Sequence, residues 1–165
     1  MKKIGVFVLT LAGTTFLMAH PHFEKKLSAE LPGGVEATIT YQTVPANEEH
    51  ARNAEVGSFI TPRSPRLELS GELKAGMVTI PAGQLIIGVV KNGPEDWDLA
   101  LYPGKLERGE TLDTSKLIKL DSMFSRTREA IEHLTIDISP GHGRLEGKAV
   151  LVINFGTLSL HGALN

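Results

Sequence analysis

Cysteine is absent from this chain of 165 residues, and aromatic residues are scarce, with one Trp, two Tyr and six Phe. Without cysteine the protein has no disulfide, no thiolate metal site and no thiol catalysis. With so few rings, an aromatic platform for stacking sugars is hard to build. Basic residues are not in excess either, because the formal charge is −2. Nucleic-acid binding needs a basic surface, so the sequence predicts no nucleic-acid partner.

Common hydrolase patterns are missing as well. The sequence contains no Gly-x-Ser-x-Gly, no Ser-x-x-Lys and no His-Glu-x-x-His. It has 19 acidic residues, so many carboxylate pairs can be chosen and none is singled out as a sugar-cleaving pair. These absences favour a non-enzymatic protein and identify no catalytic residue.

The first nineteen residues are typical of a bacterial export signal. Lys2 and Lys3 form a positive start, residues 4–18 are apolar, and the small residue Ala19 follows. The apolar stretch is shorter than the ~20 residues that span a bilayer. We therefore predict cleavage after Ala19, which leaves one domain over residues 20–165 and lowers the formal charge from −2 to −4. The predicted location is the periplasm or the cell exterior, without stable membrane insertion after cleavage.

Apolar residues in the remaining chain recur mostly at every second position. Val35, Ala37, Ile39 and Tyr41 alternate with polar residues, as in a strand with one buried face. Residues 23–31 form a second strand candidate, and the intervening Pro and Gly residues suit a tight turn. The two segments predict a first hairpin.

The whole pattern predicts an all-β fold, a single β-sandwich of eight or nine mostly antiparallel strands separated by Gly and Pro turns. Only two short segments have a helical pattern, residues 48–54 and residues 126–133. The first lies in a long polar excursion, residues 45–65. Long loops of this kind are often functional or mobile.

The middle of the chain resembles a known bacterial family. Val78-Thr79-Ile80-Pro81-Ala82-Gly83 precedes an apolar strand, a turn, and then Trp97-Asp98-Leu99-Ala100-Leu101-Tyr102. This order resembles the exported family catalogued as domain of unknown function 2911, over residues 23–160. Leu85 departs from the pattern, since the family often has an aromatic residue there. The resemblance implies an exported β-sandwich without an established activity, and it carries over no site residues.

One motif suggests a metal. If cleavage follows Ala19, His20 offers both its α-amine and its imidazole, and a further imidazole would complete a three-nitrogen site of the histidine-brace type, which suits Cu(II). Pro21 has no N–H, so the alternative copper motif, which binds the metal through the amide nitrogen of the second residue, cannot form. The remaining histidines offer the third ligand: His22, His50, His133, His142 and His161.

Three other polar clusters have plainer interpretations. Glu48-Glu49-His50 is predicted to be a solvated turn. In Asp96-Trp97-Asp98, Trp97 is predicted to be buried and the carboxylates to face water, because no calcium-loop spacing follows. Gly141-His142-Gly143-Arg144 is predicted to be a flexible turn, since it does not join a strand to a helix as a phosphate loop does.

The sequence therefore predicts an exported β-sandwich, a non-enzymatic binding or envelope-associated module. The alternative is a copper-binding protein that uses His20, with His22, His50 and His142 as further metal-site candidates. Copper is the one cofactor that the sequence suggests.

Overall fold

The computed structural model describes residues 22–106 and 112–165, and these residues form an all-β, sandwich-like fold. One short helix, α1, spans Glu48–Asn53. The strands in chain order are β1 (Glu24–Leu31), β2 (Val35–Gln42), β3 (Phe59–Ile60), β4 (Arg66–Leu69), β5 (Leu73–Ala75), β6 (Val78–Ile80), β7 (Gly83–Gly93), β8 (Asp96–Pro103), β9 (Ile118–Lys119), β10 (Ser122–Pro140) and β11 (Ala149–Ala163).

The larger sheet has the strand order β1-β2-β4-β7-β8-β9, and β3 pairs with the far end of β7. All its pairings are antiparallel. The predicted first hairpin is present, with Leu31 opposite Val35. Its turn uses Gly33 and Gly34, both at positive φ, a conformation that other residues rarely adopt. The small hairpin β5-β6 stands apart from this sheet.

The second sheet consists of β10 and β11, each of which turns back on itself. The Leu164 N–H donates to the Ala149 carbonyl at 2.8 Å, so the two ends of β11 lie side by side, and Gly156 at φ 65° marks the reversal. Residues 122–126 of β10 pair with residues 158–162, whereas residues 135–140 pair with residues 149–154. The sheet thus has four antiparallel segments, an inner β11 hairpin flanked by the two halves of β10.

The core lies between the two sheets. Ile39, Leu67 and Leu101 of the larger sheet and Leu151 and Leu134 of the second sheet are almost fully buried and belong to one apolar cluster. Alternate residues of each strand face this cluster, because successive side chains of a strand point to opposite sides. The period of two in the sequence therefore predicts the buried face correctly.

Helix α1 is held by polar contacts more than by apolar burial. The Asn47 side chain caps its N-terminus by accepting from the N–H groups of Glu49 and His50, and Ala51 is its one buried residue. At the other end, the Nζ of Lys91 donates to the carbonyls of Arg52 and Ala54. Lys91 is itself buried, so its charge is placed against carbonyls that the helix cannot satisfy internally.

One predicted element is wrong. Residues 126–133 were expected to be a short helix, but they lie within strand β10. Their side chains are mostly exposed, and the pairing with β11 shifts register between Arg126 and Ile131 and again before Thr135. Pairing of Arg126 and Ile131 with β11, and of residues 132–134 with residues 44–46, outweighs a weak local helical pattern here. The helix expected over residues 48–54 is confirmed as α1.

The described part of the chain has no helix with the length and hydrophobicity needed to cross a membrane.

A substitution at Lys91 tests the anchoring of α1. Lys91→Met keeps most of the apolar stem and removes the donor to two carbonyls, which are left without their partner. We expect a loss of about 1–3 kcal/mol in the free energy of unfolding, the usual cost of an unsatisfied buried polar group. Urea denaturation followed by circular dichroism measures it.

Lys74→Met is the matched control, since Lys74 is exposed on β5 and its substitution should change stability by less than about 0.5 kcal/mol. Equal effects of the two substitutions would contradict the assigned role of Lys91.

Candidate functional site

An apolar cleft lies between the two sheets beneath α1. Its volume is about 60 Å³, and its lining consists entirely of aliphatic, aromatic, proline and glycine residues. Helix α1 contributes Ala51, the larger sheet contributes Ile87 and Trp97, and the second sheet contributes Phe124 and Leu158. No titratable side chain lines the cleft, so its walls offer no acid, base or nucleophile.

Trp97 is the single tryptophan of the chain and one wall of the cleft. It is 5% exposed, and its indole Nε1 is the one buried side-chain polar atom without a hydrogen-bond partner among the described residues. The Lys91 ammonium lies 5.5 Å from the ring centroid, within range of a cation–π contact. The indole thus connects the cleft to the lysine that anchors α1.

A charged network fixes α1 to the tip of the β11 hairpin beside the cleft. The Glu48 carboxylate accepts from the backbone N–H of Thr157 and from Arg126, and Arg126 donates two further hydrogen bonds to Glu95 at 2.7 and 2.8 Å. The Thr157 N–H is the main reason that the pKa of Glu48 is lowered. Glu48 was expected to be solvated, and this expectation is wrong for that residue, although Glu49 and His50 are exposed.

A second site lies on the outer face of the second sheet, where two imidazoles meet. The ring centroids of His142 and His161 are 5.2 Å apart and the ring planes are at 88°. His161 belongs to β11 and is partly buried, whereas His142 is exposed in the segment between β10 and β11. Leu145 of that segment is buried against Val150 and Val152, so the segment packs on the outer face of the sheet.

A chain of hydrogen bonds lies behind His161. The Asn154 amide nitrogen lies 3.3 Å from the Thr135 hydroxyl, and the amide oxygen accepts the Ser159 hydroxyl proton at 2.7 Å. With the Asn154 amide in this orientation, the Ser159 oxygen accepts from the His161 Nε2, 3.1 Å away. The His161 proton then lies on Nε2, and Nδ1 keeps its lone pair.

The environment of His161 disfavours its charged form. Burial lowers the pKa of its imidazole, and the neighbouring His142 lowers it further, because two positive rings repel. His161 therefore releases its proton at a lower pH than a free imidazole does.

The other candidate ligands are scattered. His20 lies outside the described residues. His22 is exposed before β1, with its Nδ1 3.3 Å from the Thr43 carbonyl oxygen. His50 is exposed on α1, and the backbone of His133 forms an isolated antiparallel β-bridge with Pro45. Within residues 22–106 and 112–165, no three His, Asp or Glu residues form a group that could hold a metal ion.

The remaining predicted clusters behave largely as expected. Trp97 is buried and Asp96 is exposed, while Asp98 pairs with Lys119 at 3.2 Å. Residues 141–144 were predicted to form a flexible hairpin, and they run into a 3₁₀ turn over Gly143–Leu145.

The sequence offers His142 and His161 only as separate candidate ligands, and it does not indicate the hydrogen-bond chain behind His161. The reversal of β11 creates both arrangements by placing Ser159 beside Asn154. Gly156, in the middle of a long apolar segment, is the one sequence signal for that reversal.

Comparison with known proteins gives no match: no family model, no curated protein and no solved structure is similar to this chain.

The lowered pKa of His161 predicts a pH dependence of stability. The folded protein disfavours protonated His161, whereas the unfolded chain binds that proton with the ordinary pKa of 6.5. The free energy of unfolding should therefore fall as the pH drops below about 6.5. It should stop falling once the pH is below the pKa of His161 in the folded protein, because both states then bind the proton. An NMR titration should place the His161 transition below 6.5.

In a His161→Gln variant, the loss of unfolding free energy between about pH 7.5 and pH 5 should shrink, because the group that drives it is gone. The matched control is His50→Gln, at an exposed histidine, which should leave the loss unchanged. A His161 transition at or above 6.5 would contradict the assigned environment.

Proposed function

We propose that this chain is an exported, non-enzymatic binding module that takes a small apolar guest, such as an alkyl chain, between its two sheets. The observation that carries the proposal is the lining of the cleft, which is apolar throughout. Binding sites for small molecules are concave and mostly apolar, whereas catalysis needs positioned acids, bases or nucleophiles. The side chains that line this cleft form an apolar wall and include no acid, base or nucleophile.

The size of the cleft limits the guest. Its volume of about 60 Å³ is below the roughly 150 Å³ of an engineered cavity that holds benzene. A guest therefore has to be slender, and a wall has to give way. Helix α1 contributes only one buried side chain to these walls, so its displacement would cost little apolar area and mainly the polar contacts at Glu48 and Lys91.

A titration with 1-octanol tests this proposal, and the single tryptophan reports on it. Octanol should give a saturable change in Trp97 fluorescence, because the ring is a wall of the cleft. The Ala51→Leu variant fills the space under α1 and should weaken binding by about tenfold or more, the effect of roughly 1.4 kcal/mol.

Ala82→Leu is the matched control, at an exposed position outside the cleft lining, and should bind like the unaltered protein. A linear, unsaturable response, or equal binding by both variants, would refute the apolar site.

Export is the second part of the proposal, and it rests on Lys2, Lys3 and the apolar residues 4–18. We expect the protein isolated from its bacterial host to begin at His20 and to occur in the periplasm or the medium. Mass spectrometry of the intact protein measures the start, and a retained Met1 would contradict it. Membership of family 2911 and a copper brace at His20 stay predictions.

A further inference from the structure

We propose that His142 and His161 together bind one late first-row divalent metal ion, Cu(II) or Zn(II), on the outer face of the second sheet. The site is separate from the apolar cleft and does not require the His20 brace.

The separation of the two rings fits a shared ion. A metal–nitrogen bond is about 2.0 Å long, and the ring centre lies about 1.1 Å beyond the nitrogen, so two imidazoles on one tetrahedral ion have centroids about 5 Å apart. The observed centroid separation is 5.2 Å. The rings are also nearly perpendicular, so they do not stack face to face.

The hydrogen-bond chain behind His161 supplies what a metal-binding imidazole needs. Such a histidine usually donates its second ring N–H to a fixed acceptor, which sets the tautomer and orients the ring. The Ser159 oxygen is that acceptor, and Asn154 and Thr135 hold Ser159 in turn. Nδ1 of His161 is left with a lone pair and with no hydrogen bond to any described residue.

The segment that carries His142 is tied down on both sides. Arg144 pairs with Asp121 at 2.8 Å and donates to the Ser122 carbonyl at 2.6 Å, while Leu145 is buried. The Gly141 N–H donates to the Lys148 carbonyl at 2.8 Å. A Cβ at Gly141 would lie 1.8 Å from the Leu145 carbonyl oxygen, so only glycine fits there. His142 is therefore presented by an ordered segment that can support a pre-formed site.

The chemistry of the donors selects the ion. Imidazole nitrogen suits Cu(II), Zn(II) and Ni(II), whereas Ca²⁺ and Mg²⁺ prefer oxygen. Among the described residues no third His, Asp or Glu completes the group, so water fills the remaining positions. The order of stabilities for divalent ions predicts tighter binding of Cu(II) than of Zn(II).

The experiment titrates the protein, as isolated from its host, with Cu(II) and with Zn(II) by calorimetry. We expect one ion per chain, and replacement of either histidine, in His142→Ala or His161→Ala, should weaken binding at least tenfold. His50→Ala is the matched control and should bind normally. Circular dichroism establishes that each variant is folded, and pulsed electron paramagnetic resonance of the Cu(II) form should detect two imidazoles.

Ser159→Ala keeps both imidazoles and removes the acceptor that fixes the His161 tautomer. We expect affinity 10- to 100-fold lower, as for other lost outer partners of metal ligands, and nitrogen chemical shifts of His161 that report a mixture of tautomers. Unchanged affinity in both alanine variants at His142 and His161 would overturn the proposal. So would loss of binding in His50→Ala, because the ion would then be held elsewhere.

Discussion

The reversal of β11 at Gly156 is the constraint on which the rest of the structure depends. It turns one apolar segment into a hairpin that the two halves of β10 flank. Successive side chains of a strand point to opposite faces, so this hairpin builds two different surfaces. Phe155 and Leu158 face the cleft, whereas Ser159 and His161 face outward.

The tip of the β11 hairpin has a backbone N–H that needs a polar partner, and this explains why Glu48 and Arg126 lie beside it. Gly156 leaves room for the Glu48 side chain, since a Cβ there would lie 2.3 Å from a carboxylate oxygen. Glu48 then accepts the Thr157 N–H that the reversal leaves without a partner in the sheet, and Arg126 balances its charge. At the other end of α1, Lys91 satisfies the carbonyls. These contacts hold a short helix that apolar burial alone would not stabilise.

The sequence predicted the features that depend on local pattern. The period of two identified an all-β fold, the first hairpin and the burial of Trp97, because burial of one strand face imposes that period directly. The sequence-based prediction failed for residues 126–133, because the exposed polar residues in this irregular part of β10 have a spacing that resembles a helical pattern. It did not pair His142 with His161 either, because their approach depends on how the 141–148 segment folds over the outer face of the sheet. Pairings of that kind are set by tertiary packing, and spacing along the chain does not encode them.

The two proposed sites can be judged independently because they lie on opposite faces of one sheet. An apolar guest would act on Trp97 and α1 without touching an imidazole, and a metal ion would act on His142 and His161 without entering the cleft. Ala51→Leu and His161→Ala should therefore separate the two activities. The cysteine-free composition makes this separation cleaner, since no thiol competes for the metal. If one site fails its test, the evidence for the other is unchanged, because the cleft rests on shape and apolarity and the histidine pair on donor geometry.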